Sequence, residues 1–305
     1  MGEAHAWRVR VALAIVYLVW GTSYLATKIM VTDEPPLVAA GLRFLLAGIL
    51  LLMFAWWQSG PPVLTRVEWR HMFVMGLLAV LFSNACHVIA MQHVQSNTAA
   101  LLNATPALWI AWLGTFGHRR SHLTGTARLG LLVGFAGVIL VLAPRGGFDL
   151  AGLGWQLLIL LGCFSWSLGT IYYRNAGSAN PPVMFTALQM LAGALGLLAA
   201  AAIAGESFDV HWTPRGLLAF MWLALMSACV GYSAYVWLAT HTTPVVVGSY
   251  GYVNPAVAAL VGWLVLGEKL AWMQIAGMGV ILLGVALATG YLTPMPRSFA
   301  RTRET

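Results

Sequence analysis

Residues 250–260 read YGYVNPAVAAL and residues 101–112 read LLNATPALWIAW. Each stretch sits inside an apolar run long enough to cross a bilayer. Each also sets an asparagine close to a proline, where lipid least tolerates polar side chains and missing backbone donors. Asn254 and Pro255 follow Tyr250 and Tyr252 in the first, and Asn103 and Thr105 precede Pro106 in the second. A fold that accounts for both must give these groups something other than lipid to face.

Working outward, the chain has 305 residues, 60% hydrophobic and 8% charged, far below the roughly one quarter of charged residues in a soluble domain. Apolar windows near the ~20 residues that span a bilayer recur at about 9–30, 36–57, 70–92, 97–117, 126–143, 152–173, 181–204, 215–240, 243–266 and 271–290. The windows are continuous, not alternating, so helices and not a barrel are expected. The short connections leave no material for a soluble catalytic, nucleotide-binding or nucleic-acid-binding domain. Function is expected inside the membrane.

The first window follows Arg8 and Arg10 but lacks a small-x-small cleavage site, and it reads as a retained signal anchor. With the amino terminus inside, one side collects Arg8, Arg10, Arg66, Arg70, Arg119, Arg120, Arg128, Arg174, Arg297, Arg301 and Arg303. The opposite side holds Arg145, Arg215 and Lys269. This asymmetry places both termini in the cytoplasm. The net charge of +7 is then a topology signal that also suits anionic lipid headgroups, and no nucleic-acid partner is implied. Cys86, Cys163 and Cys229 all fall within windows and read as packing residues.

Set against itself at an offset of about 147 residues, the chain aligns its own halves. PPLVAAGLRFLLAG from residue 35 meets PPVMFTALQMLAG from 181, with Arg43 opposite Gln189. GLLVGFAGVIL from 130 meets GMGVILLGVAL from 277, and Pro106 falls opposite Pro255. The expected organisation is a first five-helix repeat over 1–145, a second over 146–292, and a basic cytoplasmic tail over 293–305. Five spans per copy force the second copy to enter the membrane upside down. Such inverted repeats, with helices bent at corresponding places, characterise secondary transporters with a midplane site. Pro106 and Pro255 are the expected kinks or gates.

LVWGTSYLATKIM, LRFLLAG, AMQHVQSNTAALLNATPALWIAW and VNPAVAALVGWLVLGEKLAWMQIAGMGVILLGVALA resemble the EamA family of the drug/metabolite transporter superfamily. The resemblance covers essentially the whole chain. It implies ten transmembrane helices, cytoplasmic termini and a cavity lined mainly by the first, third, fourth, sixth, eighth and ninth. It also implies the company of metabolite exporters, aromatic amino acid exporters among them. The family's Gly-Glu turn occurs once, as Gly267 and Glu268, whereas the first half has His118 in the acid's place.

Ionisable groups within a span usually face an interior path. Lys28 reads either as a charge snorkelling outward beside Asp33 and Glu34 or as an anion-attracting charge at the cavity mouth. Arg43, opposite Gln189, reads as a structural polar contact between halves. His87 shares a helix face with Asn84, while His93 and His241 lie near span ends. All nine acids map to termini, loops or span edges, which favours a facilitator or exchanger over a carboxylate-relayed proton pump. Coupling through His87 is the alternative.

Trp and Tyr away from the headgroup belts suggest an aromatic cavity able to hold flat or amphipathic solutes. The expected substrate site is Trp20, Thr22, Asn84, His87, Trp109, Trp166, Tyr235, Tyr250 and Asn254. Gly130, Gly134, Gly137, Gly277 and Gly284 permit close helix approach, read as internal packing in preference to a homodimer contact. No HExxH, GxSxG or GxxxxGK[ST] pattern is present, so neither an intramembrane hydrolase nor an ATPase is expected. No cofactor or metal is expected either. The sequence therefore reads as an all-α, multi-pass secondary transporter of the bacterial inner membrane, an exporter or facilitator of small amphipathic metabolites by alternating access. Amino acids, aromatic or hydrophobic ones above all, are the first choice of small-molecule substrate. The alternatives are proton-coupled drug or metabolite efflux and a non-transporting scaffold.

Overall fold

A computed structural model describes residues 3–116, 123–142, 150–242, 246 and 249–288, and among these every regular element is helical. Arg119, Arg120, Arg145, Arg297, Arg301, Arg303, His118 and the basic tail lie outside the described residues. Among the described residues, seven helices are long and apolar enough to span a membrane, and two shorter apolar helices accompany them near the carboxyl end.

Helix α1 runs over Glu3–Asp33 and α2 over Pro36–Ser59. Helix α3 joins Arg66–Met75, Gly76–Phe82 and Ser83–Met91 without interruption. The short helices α4 (Ser96–Leu102) and α5 (Pro106–Leu113) follow, then α6 (Gly125–Leu142), α7 (Leu150–Ala176) and α8 (Pro182–Ala204). Helix α9 joins Pro214–Met221, Trp222–Gly231 and Tyr232–His241, and α10 (Tyr250–Leu266) and α11 (Trp272–Ala288) complete the order.

Local chemistry sets the boundaries. Proline occupies the first turn of α2, α5, α8 and α9, where its fixed φ suits the helix and its missing N–H would be unbonded anyway. Thr65 and Thr213 cap α3 and α9, their hydroxyls accepting from Glu68 N and Gly216 N. Gly205 and Gly267 end α8 and α10 in the left-handed conformation, φ +73° and +65°, which a Cβ disfavours.

Buried or half-buried carboxylates hold several other helix starts, where backbone N–H groups have no helical partner. Glu206 accepts from Leu37 N and Val38 N at the start of α2. Glu34 accepts from Thr213 N ahead of α9, and Asp33 pairs with Arg215. Glu68 accepts from Ala179 N, Ser178 Oγ and Asn180 Nδ2 just before α8. Glu268 accepts from Ser96 N at 2.7 Å, Ser96 Oγ at 2.8 Å and Asn97 N at 3.0 Å at the start of α4.

The packing follows the internal alignment. Helix α2 lies along α8, and α6 lies along α11. The glycines serve the second pair: a Cβ on Gly137 would meet Ile281 N at 2.6 Å, and one on Gly284 would meet Gly134 Cα at 2.3 Å. These glycines are thus used within the chain, as the preferred reading had it. Both α3 and α9 widen midway into π-helical turns, over Gly76–Phe82 and Trp222–Gly231, which coincide at the offset that aligns the halves. A π turn leaves carbonyls poorly satisfied by the ladder, and side chains collect them. Ser165 Oγ donates to Leu78 O, Asn84 Nδ2 to Ala79 O, and Trp20 Nε1 to Ser227 O.

One expected span differs. The window at 97–117 forms α4, a turn through Asn103, Ala104 and Thr105, and then α5. Pro106 cannot donate to Leu102 O, and Thr105 Oγ1 takes that acceptor instead, at 2.7 Å. Pro255 by contrast lies inside α10, which continues through it.

Candidate substrate cavity

A cavity of about 240 Å³ opens where the widened turns of α3 and α9 face the middles of α1, α2, α7 and α8. Helix α1 contributes Trp20, Ser23, Tyr24 and Thr27, and α2 contributes Arg43 and Phe44. Ser83, Asn84 and His87 come from α3, and Asn103 from the turn before α5. Pro106, Trp166, Gln189 and Met190 follow from α5, α7 and α8, with Ser227, Tyr232, Tyr250 and Asn254 from α9 and α10. Helices α6 and α11 contribute nothing to the wall.

His87 is fixed on both nitrogens. Nδ1 lies 2.8 Å from Ser83 O, a pure acceptor, so this nitrogen carries the proton; Nε2 lies 2.6 Å from Asn103 Nδ2 and accepts. Asn103 Nδ2 also donates to Ala99 O at 3.0 Å, which fixes its amide orientation. The imidazole is therefore held as one neutral tautomer. Gly162 makes room for it, since a Cβ there would stand 2.7 Å from Nδ1. Asn84 does not bond His87. Its Oδ1 accepts from Arg43 Nη2 at 3.1 Å.

An aromatic box closes one end. Trp20 meets Tyr235 and Tyr250 with ring centroids 5.2 Å apart in each case, and Tyr232 at 6.2 Å. Tyr17 and Ser249 join their hydroxyls beside the box. The amide nitrogen of Asn254 is assigned to the side facing Tyr17 O and Tyr250 O, at 3.3 Å each. This buried amide thus ties α10 to α1.

Of the residues expected at the site, Trp20, Asn84, His87, Trp166, Tyr250 and Asn254 stand together on the wall, with Pro106 beside them. Tyr235 stands behind Trp20 and Tyr250 and packs with α1. Thr22 turns back on its own helix and donates to Leu18 O at 2.7 Å. Trp109 packs edge-on against Phe135 and Phe164, away from the cavity, because the turn at 103–105 rotates α5 relative to α4. Pro255 is buried but does not line the wall. Lys28 is half-buried, and its Nζ donates to Met91 O at 2.6 Å and Gln92 O at 3.1 Å, capping the carboxyl end of α3. Its expected neighbours Asp33 and Glu34 are engaged on α9. Among the described residues no three His, Cys, Asp or Glu side chains gather where a metal could bind.

The profile of the EamA-like transporter family matches the chain twice, over residues 9–143 and 153–290. The chain belongs to that family. The uncharacterized inner membrane transporter YedA of Escherichia coli (strain K12) is 35% identical over 290 residues, covering 93% of this chain and 92% of its own. The uncharacterized transporter YvbV of Bacillus subtilis (strain 168) is 27% identical, covering 92% and 91%. One solved crystal structure shares the fold with a TM-score of 0.65 at 21% identity, covering 92% of this chain and 96% of that one.

For this EamA-like chain the wall is broader than the family resemblance implied. Helices α2 and α8 enter it through Arg43, Phe44, Gln189 and Met190. The internal alignment had set Arg43 opposite Gln189, which was a usable signal, but no hydrogen bond joins the two. Asn103 was visible beside Pro106, yet its bond to His87 needs the turn that no periodicity reveals. Ser23 and Ser227, bonded at 2.9 Å, left no mark in the sequence.

Proposed function

We propose that this EamA-like protein is a secondary transporter of small amphipathic metabolites, with amino acids as the leading class, working by alternating access around the central cavity. Ten spans arranged as two inverted five-helix repeats, both termini cytoplasmic, would sit in the bacterial inner membrane, the location carried in the name of its YedA relative. In this reading α4 with α5 forms one span and α10 its counterpart.

The observation that carries the reading is the composition of the wall. One cavity draws on α1, α2, α3 and α5 from the first half and on α7, α8, α9 and α10 from the second. A solute held there is gripped by both halves, so rocking of one against the other changes the side to which it is exposed. The aromatic surfaces of Trp20, Trp166 and Tyr250 suit an apolar body, and the Asn, Ser and Arg groups suit a polar end. His87 enters the cycle as a neutral hydrogen-bonded group, so flux follows the solute gradient.

The test is uptake and counterflow of a labelled amino-acid and metabolite panel in proteoliposomes, with and without an imposed pH gradient. Counterflow that persists after the gradient is collapsed supports the facilitator. Flux that stops with the gradient assigns a proton to the cycle and favours coupled efflux. No flux for any solute returns the chain to a scaffold role.

A further inference from the structure

Among the described residues, Arg43 is the one permanently charged side chain on the cavity wall. It is 7% exposed. Nη2 donates to Asn84 Oδ1, and the guanidinium carbon lies 4.2 Å from the centre of the Phe44 ring. Nε has no hydrogen-bond partner. Arg43 takes part in neither the His211–Asp209 nor the Arg215–Asp33 pair, and among the described residues no Asp or Glu lines the cavity.

A cation kept at low dielectric without a counter-charge is costly, and membrane proteins retain such groups where a path or ligand needs them. A purely structural guanidinium would have its five N–H donors met by the protein. On α8, packed along α2, Gln189 shows the complementary fault. It is 3% exposed, its Nε2 reaches Tyr232 Oη at 3.4 Å, and its Oε1 has no partner. The wall thus holds a cation with an unmet donor and an amide with an unmet acceptor.

We infer that Arg43 and Gln189 hold the polar end of the cavity's ligand, and that this ligand is a small carboxylate with a donor on the adjacent carbon, a 2-amino or 2-hydroxy acid. This rests on the reading of the cavity as the transport site. The carboxylate oxygens lie on the Arg43 guanidinium, whose planar fork suits them. The 2-amino or 2-hydroxy group donates to Gln189 Oε1. The apolar remainder lies along Phe44, Trp20 and Tyr250. The contact expected between Arg43 and Gln189 is thereby a shared ligand and not a bond.

The experiment is binding of phenylalanine, 3-phenyllactate, 3-phenylpropionate, phenethylamine and phenylalanine methyl ester to the full-length protein in detergent, read by calorimetry and ligand-induced thermal shift. Wild type is expected to bind phenylalanine and phenyllactate at least ten-fold more tightly than the amine or the ester. Arg43→Gln removes that preference and leaves ester binding unchanged, while Arg43→Lys restores part of it. Gln189→Met weakens phenylalanine and phenyllactate but leaves 3-phenylpropionate, which has no donor, unchanged. Equal binding of acids, amine and ester by wild type overturns the inference, as does failure of both acids to bind or acid binding indifferent to Arg43→Gln. If Arg43→Gln does not purify, the wild-type panel and Arg43→Lys decide. Flux of amine or ester without preference for acids would overturn the inference and leave transport standing. Acid binding without flux would support it and remove transport.

Discussion

The two proline-bearing segments that align with each other, α4 with α5 in the first half and α10 in the second, solve one problem in two ways. Before Pro106 the chain breaks. Asn103, Ala104 and Thr105 form a turn, Thr105 covers Leu102 O, and Asn103 spends its amide on His87 and Ala99. At Pro255 the helix runs on, and the neighbouring Asn254 bridges to Tyr17 O and Tyr250 O. The first segment is anchored at its start by Glu268, which belongs to the second half. The same residue types thus accompany a turn between two helices in one place and a continuous helix in the other, where one asparagine bonds a histidine and the other a neighbouring helix.

The largest effect on that contrast is expected from Glu268→Ala. It strands the Ser96 and Asn97 N–H groups and the Ser96 hydroxyl in a buried site, which costs about 3 kcal/mol. Thermal unfolding in detergent should show a large fall in Tm, with Glu268→Gln recovering part of it.

Next come the two asparagines. Asn103→Ala leaves His87 Nε2 without its donor and should cost about 1–2 kcal/mol. Asn254→Ala loses only bonds of 3.3 Å and should cost about 0.5 kcal/mol. Denaturant or thermal melts of the pair would reverse the contrast if Asn254→Ala proved the more harmful.

The prolines give the smallest effects and opposite signs. Pro106 only presets φ at a helix start, so Pro106→Ala should lower stability by about 0.5 kcal/mol through the unfolded chain. Pro255→Ala restores an N–H aimed at Gly251 O and should raise stability by about 1 kcal/mol, while slowing counterflow if the missing bond is what lets α10 flex. Equal shifts in Tm would mean that the two prolines play the same part.

Most spans were legible because hydropathy and length suffice for a helix that must satisfy its own backbone. That Gly130, Gly134, Gly137, Gly277 and Gly284 serve a close helix approach was legible in the sequence, but that α6 and α11 approach each other was not. Asn103, Thr105 and Pro106 marked a kink in the sequence, but a full break into a turn at 103–105 was not legible, since the bond that holds Asn103 to His87 is tertiary. Trp109 was misplaced for the same reason: the turn re-aims every side chain after it. The acids were seen as span-edge residues, but their office at helix starts depends on which N-terminus lies opposite, which is tertiary information. Lys28 was read through its sequence neighbours, whereas Met91 O and Gln92 O hold it. Arg43 was read as a contact with Gln189, and the structure leaves both facing a cavity with unmet bonds.

The central claim, that solute passes through the cavity between the halves, is tested most directly by counterflow of labelled phenylalanine through Tyr250→Leu and Trp109→Leu, matched by amount of folded protein. Tyr250 lines the cavity and Trp109 packs outside it. The expected result is a loss of at least ten-fold for Tyr250→Leu and flux within two-fold of wild type for Trp109→Leu. Equal losses, or a greater loss for Trp109→Leu, would contradict the account.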